Sequence, residues 1–397
     1  MCFLNRSIAM TDKLYEKNPY IREFDARVTE CEEKGDMYKI CLNKTAFFPE
    51  GGGQPGDRGW IGEAVISDTH EKDGKVWHYA DRPLEIGSEV RGCLDWAFRF
   101  SNMQNHAGEH IVSGLIHGKY GYDNVGFHMG SEAVTLDING ELTEEQVREI
   151  EMEANRAIQE NVPIQTAIPP KEELAQMNYR SKKALDGDVR IVEIPGYDRC
   201  ACCGTHPFRT GEIRLIKILS VQNYKGGVRI SMLSGNRAVD DYMEKHDSVV
   251  KISHLLSAKT GEISDAVERL QKEMGDLKFK MVQMKREMMA VKAENLPVSG
   301  NALCVLENDL EGSDLREYAN LLSKRAERVL VLSGGGDKGY RYVLIDAGQQ
   351  AREYGKEIQK LYAGKGGGSN QMIRGTLAGD AAAIQQWFET AEISKNS

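Results

Sequence analysis

Two distant stretches of this sequence carry the residue types that bind transition metals. The first is His106-Ala-Gly-Glu-His110, and the second is Cys202-Cys-Gly-Thr-His206. Residues four positions apart on a helix lie one above the other, so His106 and His110 can reach the same ion. Together with Cys202 and His206 they offer nitrogen and sulfur ligands, the set that tetrahedral Zn²⁺ prefers. The sequence therefore predicts a site for one zinc ion per chain.

The identity of the sulfur ligand stays open at this stage, because Cys200 and Cys203 lie next to Cys202. The reach of the side chains does not separate the three thiols. Their crowding beside a histidine nevertheless favours a metal site over a disulfide. The other cysteines are scattered along the chain, which is typical of small buried side chains.

The histidine pair also fits the H-x-x-E-H pattern of a metallopeptidase, in which Glu109 would act as the general base. Such a site needs a carboxylate downstream as third ligand and an open coordination position for water. The downstream candidates are instead a cysteine and a histidine. The sequence thus fits a zinc metallopeptidase only in part, and this function is kept as an alternative.

A glycine-rich segment supplies the second chemical signal, with the sequence FFPEGGGQPGD from Phe47 to Asp57. Gly51, Gly52 and Gly53 are unsuited to an ordinary strand interior, and they let backbone N–H groups approach a ligand closely. Gln54 follows them and offers both a donor and an acceptor. We predict that this segment positions substrate or water, with a turn of no function as the alternative.

Composition narrows the class of protein. A chain of 397 residues is too long for one ordinary core, so several domains are expected. The net charge of -9 argues weakly against nucleic acid as a partner, but ten cations face five anions between residues 320 and 375. The N-terminus has no apolar run fit for a signal peptide or a membrane span. We therefore expect a cytoplasmic protein with no membrane partner.

The sequence patterns around these residues predict an α+β protein of several domains. Residues 1–100 alternate short apolar runs with turn residues, as in a small N-terminal β-barrel that carries the glycine-rich loop. Residues 101–255 predict an α+β zinc-binding domain. Ser101 to Gln104 fits a capping box that opens the helix with the two histidines.

The rest of the chain predicts a long helix and a small terminal domain. From Ile263 the apolar residues recur at alternating steps of four and three, at Val267, Leu270, Met274, Leu277, Met281, Met284, Met288 and Val291. This repeat predicts a coiled coil or helical hairpin over residues 256–297, ended by Pro297. Residues 298–397 alternate strands and helices and predict a small α/β domain. Residues 364–369, GKGGGS, are expected to form a mobile or close-approach loop.

Three motifs, in this order, resemble the alanyl-tRNA editing proteins (AlaX) and the editing domain of alanyl-tRNA synthetase. They are GGGQPGD at 51–57, QNHAGEH at 104–110 and C-x-GTH at 202–206. Residues 297–397, with the glycine-rich loop and NQMIRGTLAG from Asn370, are similar to the C-terminal tRNA-binding domain of that synthetase. The resemblance spans nearly the whole chain, as in the long form of AlaX. Cys203 departs from it, since the synthetase typically has glycine there.

The resemblance implies a deacylase that acts in trans on tRNA(Ala) mischarged with serine or glycine, without aminoacylation activity of its own. It implies zinc ligation by His106, His110, Cys202 and His206, and substrate or water positioning by Gln54, Gly51, Gly52 and Gly53, with Thr205 beside them. It also implies tRNA contacts from Lys365, Gly366, Gly367, Gly368 and Arg374, and a homodimer through the helical and C-terminal regions. A non-catalytic tRNA-binding module with a structural zinc is the second alternative.

Overall fold

The computed structural model describes residues 10–181, 188–298, 300–335 and 339–392. The chain divides into two compact units, Met1–Ile252 and Ser253–Ser397. Strands and helices occur in both units, so the expected α+β class with more than one folded unit is confirmed. The finer division of the chain at residues 100, 255 and 297 stays a prediction.

The first unit begins with a closed barrel. Its elements are β1 (Asp12–Lys13), α1 (Leu14–Lys17), β2 (Glu23–Lys34), β3 (Met37–Leu42), β4 (Lys44–Thr45), β5 (Gly59–Ile61), β6 (Ala64–Lys72), β7 (Lys75–Ala80) and β8 (Glu89–Leu94). Six strands are hydrogen-bonded in the order β2-β3-β7-β6-β5-β8, and β8 returns to β2. Inward residues such as Ala26, Ile40 and Ile66 are buried together with Phe47. The glycine-rich segment connects β4 to β5.

The helix that carries His106 and His110, α2 (Trp96–Tyr120), begins earlier than predicted. Asp95 caps it, because its side chain accepts a hydrogen bond from the backbone N–H of Phe98. The predicted capping box at Ser101 is therefore wrong, and residues 101–104 lie inside the helix. Aspartate is as good an N-cap as serine, and the helix begins after the upstream residue.

The remaining elements of this part surround α2. They are β9 (Asn124–Met129), β10 (Val134–Ile138), α3 (Glu144–Glu160), β11 (Gln165–Ala167), α4 (Lys171–Leu174), β12 (Ile191–Ile194), β13 (Asp198–Ala201), a 3-10 turn (Thr210–Ile213), β14 (Ile216–Tyr224), β15 (Gly227–Ser234) and α5 (Asn236–Leu256). One antiparallel sheet has the order β14-β15-β10-β9, and a smaller one has the order β11-β12-β13. Ile111 of α2 and Ile150 of α3 share a core with Leu136 and Ile230 of the larger sheet. This core fixes α2, and with it both histidines.

The second unit contains a long helix followed by alternating strands and helices. Its elements are a 3-10 turn (Thr260–Glu262), α6 (Ile263–Asn295), β16 (Ala302–Glu307), α7 (Gly312–Leu322), β17 (Arg328–Gly334), β18 (Tyr340–Asp346), α8 (Ala351–Leu361), β19 (Lys365–Gly368), β20 (Met372–Leu377) and α9 (Ala381–Thr390). The sheet order is β16-β17-β18-β20-β19. Val329 and Val331 of β17 share a core with α7, whereas Leu330 and Leu332 share one with α8 and α9. Burial on both faces explains the continuous apolar run of this strand.

The glycine-rich residues 365–368 form a strand, so the predicted loop is wrong here. Strand β19 lies at the edge of the sheet and pairs antiparallel with β20. A Cβ on Gly366 would lie 2.4 Å from the carbonyl oxygen of Arg374, and one on Gly375 would lie 1.9 Å from that of Lys365. Glycine is needed here because the two backbones approach closely. From composition alone, the same glycines predict a loop.

Helix α6 exposes the predicted apolar repeat. Leu277 is 62% and Met281 is 71% exposed, and the other members of the repeat from Leu270 to Val291 are exposed as well. A coiled coil formed by this face stays a prediction. Among the described residues, no helix is both long enough and apolar enough to cross a bilayer.

Candidate metal centre

The four predicted metal ligands come together in the first unit. The ligand atoms of His106, His110, Cys202 and His206 all lie within 4.8 Å of one another. Sγ of Cys202 lies 3.4 Å from Nε2 of His106 and 3.9 Å from Nε2 of His206. Bond lengths to zinc of about 2.0–2.3 Å give edges of about 3.3–3.8 Å in a tetrahedral site. The spacing of these atoms therefore suits a single ion of that size.

The structure separates the three neighbouring thiols. Among the described residues, Cys202 belongs to the cluster with His106 and His206, whereas Cys200 lies in a second group with His110 and Asp198. The thiol of Cys200 donates to the carbonyl oxygen of Ala201 at 3.5 Å, and Cys203 is exposed beside the glycine turn. This geometry favours Cys202 as the sulfur ligand, and the assignment stays a prediction.

The local electrostatics favour Cys202 as an anion. Burial alone would raise the pKa of its thiol, but the adjacent His106 and His110 outweigh this and hold the pKa well below its ordinary value. The backbone N–H of Gly204 also donates to Sγ at 3.3 Å. Burial lowers the pKa of His206 to about 3, which keeps this ring neutral. Thiolate and neutral imidazole are the forms that bind metal.

Two of the histidines are oriented through their second ring nitrogen. Nδ1 of His106 lies 3.0 Å from Oε1 of Gln54, and Nδ1 of His110 lies 2.7 Å from Oδ2 of Asp198. Both partners are acceptors, so a neutral ring at either position would carry its proton on Nδ1 and leave Nε2 free to bind a metal. Arg180 in turn holds Asp198, with Nε 2.7 Å from Oδ1 and Nη2 2.9 Å from Oδ2.

Asp198 and Arg180 are site residues that the sequence analysis missed. Asp198 lies a short distance before the Cys202 motif, and metal-binding histidines commonly donate to a carboxylate. That rule could have marked Asp198 as a candidate. Arg180 had no such signal, because only the folded chain brings it to Asp198.

The glycine-rich segment forms a tight turn next to the cluster. Gly51 and Gln54 exchange two backbone hydrogen bonds of 3.1 and 3.0 Å, and Gly52 and Gly53 have φ angles of 61° and 85°. Positive φ at both central residues is the geometry that favours glycine in two-residue turns. Within the described chain, the turn leaves the backbone N–H groups of Gly52 and Gly53 without a hydrogen-bond acceptor.

Gln54 connects this turn to the ligand loop. Its Nε2 donates to Oγ1 of Thr205 at 2.8 Å, and its Oε1 accepts from the Thr205 backbone N–H at 3.1 Å. Both side chains are buried, and neither contributes to the described lining of the neighbouring cavity. The predicted residues Gln54 and Thr205 thus lie behind the ligands, whereas Gly52 and Gly53 lie at the cavity.

A cavity of about 820 Å³ opens onto the cluster. Its lining includes His106, His110 and Cys202, the turn residues Gly52 and Gly53, and the ring of Phe127. A cavity of this volume can hold a ligand of the size of a nucleoside with a small substituent.

The predicted tRNA-binding residues lie in the second unit. Lys365 begins the edge strand β19, and Gly367 pairs with Arg374 of β20. Both cations are exposed. Of the charged residues between 320 and 375, Lys338 and Asp337 lie outside the described residues.

Comparisons with known proteins place the chain among tRNA-editing proteins. Residues 189–231 match the family model of the "threonyl and alanyl tRNA synthetase second additional domain". The alanyl-tRNA editing protein AlaX-L of Pyrococcus horikoshii is 30% identical over 390 residues, which cover 93% of this chain and 95% of that relative. The alanyl-tRNA editing protein Aarsd1 of Danio rerio is 28% identical over 382 residues, covering 91% of this chain and 92% of its own length.

Two further relatives carry the synthetase name. The alanine–tRNA ligase of Pyrococcus abyssi is 30% identical over 400 residues, covering 94% of this chain but 43% of the ligase. A crystal structure of the C-Ala domain from Aquifex aeolicus alanyl-tRNA synthetase is 21% identical, with a TM-score of 0.21. It covers 24% of this chain and 97% of that domain.

Proposed function

This chain belongs to the alanyl-tRNA editing protein family, and we propose that it hydrolyses the ester that joins serine or glycine to the 3′ end of tRNA(Ala). The observation that carries this proposal is the cluster of three histidines and Cys202 at a cavity of about 820 Å³. The editing would act in trans, on tRNA released by the synthetase.

Simple physical limits explain the need for such an enzyme. A synthetase site for alanine cannot fully reject glycine by size, or serine by one added hydroxyl group. A second site that hydrogen-bonds the serine hydroxyl can spare alanine, because alanine would leave those polar groups unpaired. We therefore propose that Ala-tRNA(Ala) is not a substrate.

The metal would be Zn²⁺, held by Nε2 of the three histidines and by Sγ of Cys202. When bound, it would supply Lewis-acid chemistry that polarises and orients the ester. The protein groups beside it would orient the histidine rings and hold the substrate. Gln54 and Asp198 fix the rings of His106 and His110. The backbone N–H groups of Gly52 and Gly53 would donate to an oxygen of the substrate.

The second unit would bind the body of the tRNA. Lys365 and Arg374 lie on the adjacent strands β19 and β20, where the open space beside Gly367 would allow close approach by a phosphate. The exposed apolar face of α6 would pair with the same face of a second copy, because a repeat of this kind needs a partner helix. Sedimentation as a monomer at all concentrations would contradict the homodimer.

The two alternative functions make different predictions. A metallopeptidase would cleave peptides and lose this activity in Glu109→Gln. Against it, the cluster contains Cys202 and His206 in place of a carboxylate ligand. A non-catalytic module would bind tRNA tightly, with a strong dependence on salt, and would show no turnover.

The decisive experiment is a deacylation assay with tRNA(Ala) charged with serine, glycine or alanine. We expect rapid hydrolysis of the serine or glycine ester, with the alanine ester spared; equal rates on all three would overturn the proposal. Cys202→Ser should lose both zinc and activity. Cys200→Ser and Cys203→Ser are the matched controls, and zinc retained in Cys202→Ser would refute the ligand assignment.

A further inference from the structure

Arg190 places a guanidinium group in the wall of the cavity, beside the metal ligands. Its Nη1 lies 2.9 Å from the carbonyl oxygen of Cys202 and 2.9 Å from that of Gly204, and donates to both. These carbonyls belong to the loop that presents the thiolate, so the side chain is held in a fixed position. A guanidinium has five N–H donors, and Nη1 accounts for two of them.

Arg190 keeps further donors, and the residue lines the cavity. Among the described residues, Nε and Nη2 have no hydrogen-bond acceptor, and no carboxylate forms an ion pair with this arginine. Removing a cation from water is costly unless an anion compensates it. An arginine held in this way is therefore suited to receive an anionic ligand.

The charges around the cavity limit where that anion can bind. Glu16, Glu109 and Asp188 also line it, and Arg190 is the one cation in the described lining. Acidic walls repel a polyanion, so a negative group of the ligand would be accepted at Arg190 and disfavoured elsewhere. The planar fork of a guanidinium matches two oxygens of a phosphate group.

We propose that Arg190 binds the phosphate on the 5′ side of the terminal adenosine, the nucleotide that carries the amino acid. This inference rests on the proposed function, and it names the part of the substrate that the cavity recognises. Because Arg190 contacts the backbone of Cys202 itself, a phosphate at Arg190 and an ester at the metal ligands are close enough for a single nucleotide to join.

A comparison of two small esters, 3′-O-seryl-AMP and 3′-O-seryl-adenosine, measures the contribution of the phosphate contact. They share the reacting bond and differ only in the 5′ phosphate. For the zinc-loaded wild-type protein we expect kcat/KM to be about 10- to 100-fold higher for the AMP ester, the range of a charge-assisted contact. Arg190→Gln should bring kcat/KM for the AMP ester down to that for seryl-adenosine, so the ratio of the two rates is the readout and any change common to both esters cancels.

Two further variants test the chemistry of the contact. Arg190→Lys keeps the charge but loses the fork, so part of the preference should remain. Arg199→Gln is the matched control, because this arginine pairs with Glu193 and does not contribute to the described lining. It should keep the full preference for the AMP ester.

The outcomes separate the phosphate site from the proposed function. If Arg190→Gln slows both esters equally and loses zinc, Arg190 only supports the ligand loop and the phosphate site is overturned. Equal binding of AMP and adenosine to the wild-type protein would also overturn it. Absence of Ser-tRNA(Ala) hydrolysis would overturn the proposed function instead, and tighter binding of AMP that depends on Arg190 would still support the phosphate site.

Discussion

Asp198 is the residue through which the protein controls the orientation of His110. Its Oδ2 accepts the proton on Nδ1 at 2.7 Å, and both side chains are buried. We expect Asp198→Asn to weaken zinc binding about 10- to 100-fold, because the amide no longer stabilises the ligand tautomer. Competition with a chromophoric chelator measures this affinity directly, whatever the catalytic rate.

An exposed pair of the same kind provides the control for Asp198. Oδ1 of Asp123 accepts a hydrogen bond from Nδ1 of His117 at 2.9 Å. His117 lies farther along α2, and the pair is outside the cluster. Asp123→Asn should leave the zinc affinity unchanged. Equal losses in the two variants would show that the effect is general destabilisation and does not come from ligand orientation.

His78 makes the barrel sensitive to acid. It is fully buried, with Nδ1 donating to the carbonyl oxygen of Ile40 at 2.9 Å and Nε2 accepting from Oγ1 of Thr45 at 2.8 Å. Burial lowers the pKa of His78 from 6.5 to about 4. Between these values the unfolded chain binds a proton that the folded barrel excludes, so stability falls as the pH falls.

The expected size of this effect is measurable. Between pH 7 and pH 5 the titration of His78 should remove about 2 kcal/mol from the free energy of unfolding. Urea unfolding at the two pH values tests this, and His78→Gln should reduce the pH dependence by about the same amount. His70→Gln, at the barrel surface, is the control. A pH dependence unchanged in His78→Gln would contradict the assignment.

The turn between β4 and β5 is the element that brings backbone N–H groups to the cavity. A Cβ on Gly53 would lie 2.3 Å from Cδ1 of Phe127, whereas one on Gly52 would lie 3.3 Å from Sγ of Cys203. Gly52→Ala should therefore cost only the strain of positive φ, about 1–2 kcal/mol. Gly53→Ala should cost about 1–3 kcal/mol more, since Phe127 or the turn must move.

Thermal unfolding and steady-state kinetics of the two glycine variants test the role of the turn. We expect Gly53→Ala to have the lower Tm and the lower kcat/KM of the two. The two variants share the left-handed backbone and the added methyl group, so each controls for the other. Equal Tm values would show that Phe127 does not restrict the turn.

At the level of elements, local patterns were predictable and long-range contacts were not. The spacing of His106 and His110 predicts a shared helix face because helical periodicity is local. The contact of His110 with Asp198 joins residues 88 positions apart, so the sequence around His110 does not show which carboxylate is its partner. Strand β19 was missed for a related reason. Glycine has low strand propensity, and the pairing with β20 decides the structure.

The whole molecule carries a net charge of -9, yet its proposed substrate is a polyanion. Binding must then depend on a few local cations, of which Lys365 and Arg374 are exposed on neighbouring strands of the second unit. We expect Lys365→Glu and Arg374→Glu to weaken tRNA binding. The slope of the logarithm of affinity against the logarithm of salt concentration should fall by roughly 1 for each lost phosphate contact.

A comparison of substrates assigns this effect to tRNA binding. Seryl-adenosine has no tRNA body, so both variants should hydrolyse it at the wild-type rate while kcat/KM for Ser-tRNA(Ala) falls. Lys72→Glu makes the same change of charge at an exposed position of the barrel and should leave both reactions unaltered. If Lys72→Glu weakens tRNA binding as much as Lys365→Glu, only total charge matters and the edge strands are not the tRNA-binding surface. If seryl-adenosine hydrolysis falls in step with the tRNA reaction, the two cations act on the catalytic site.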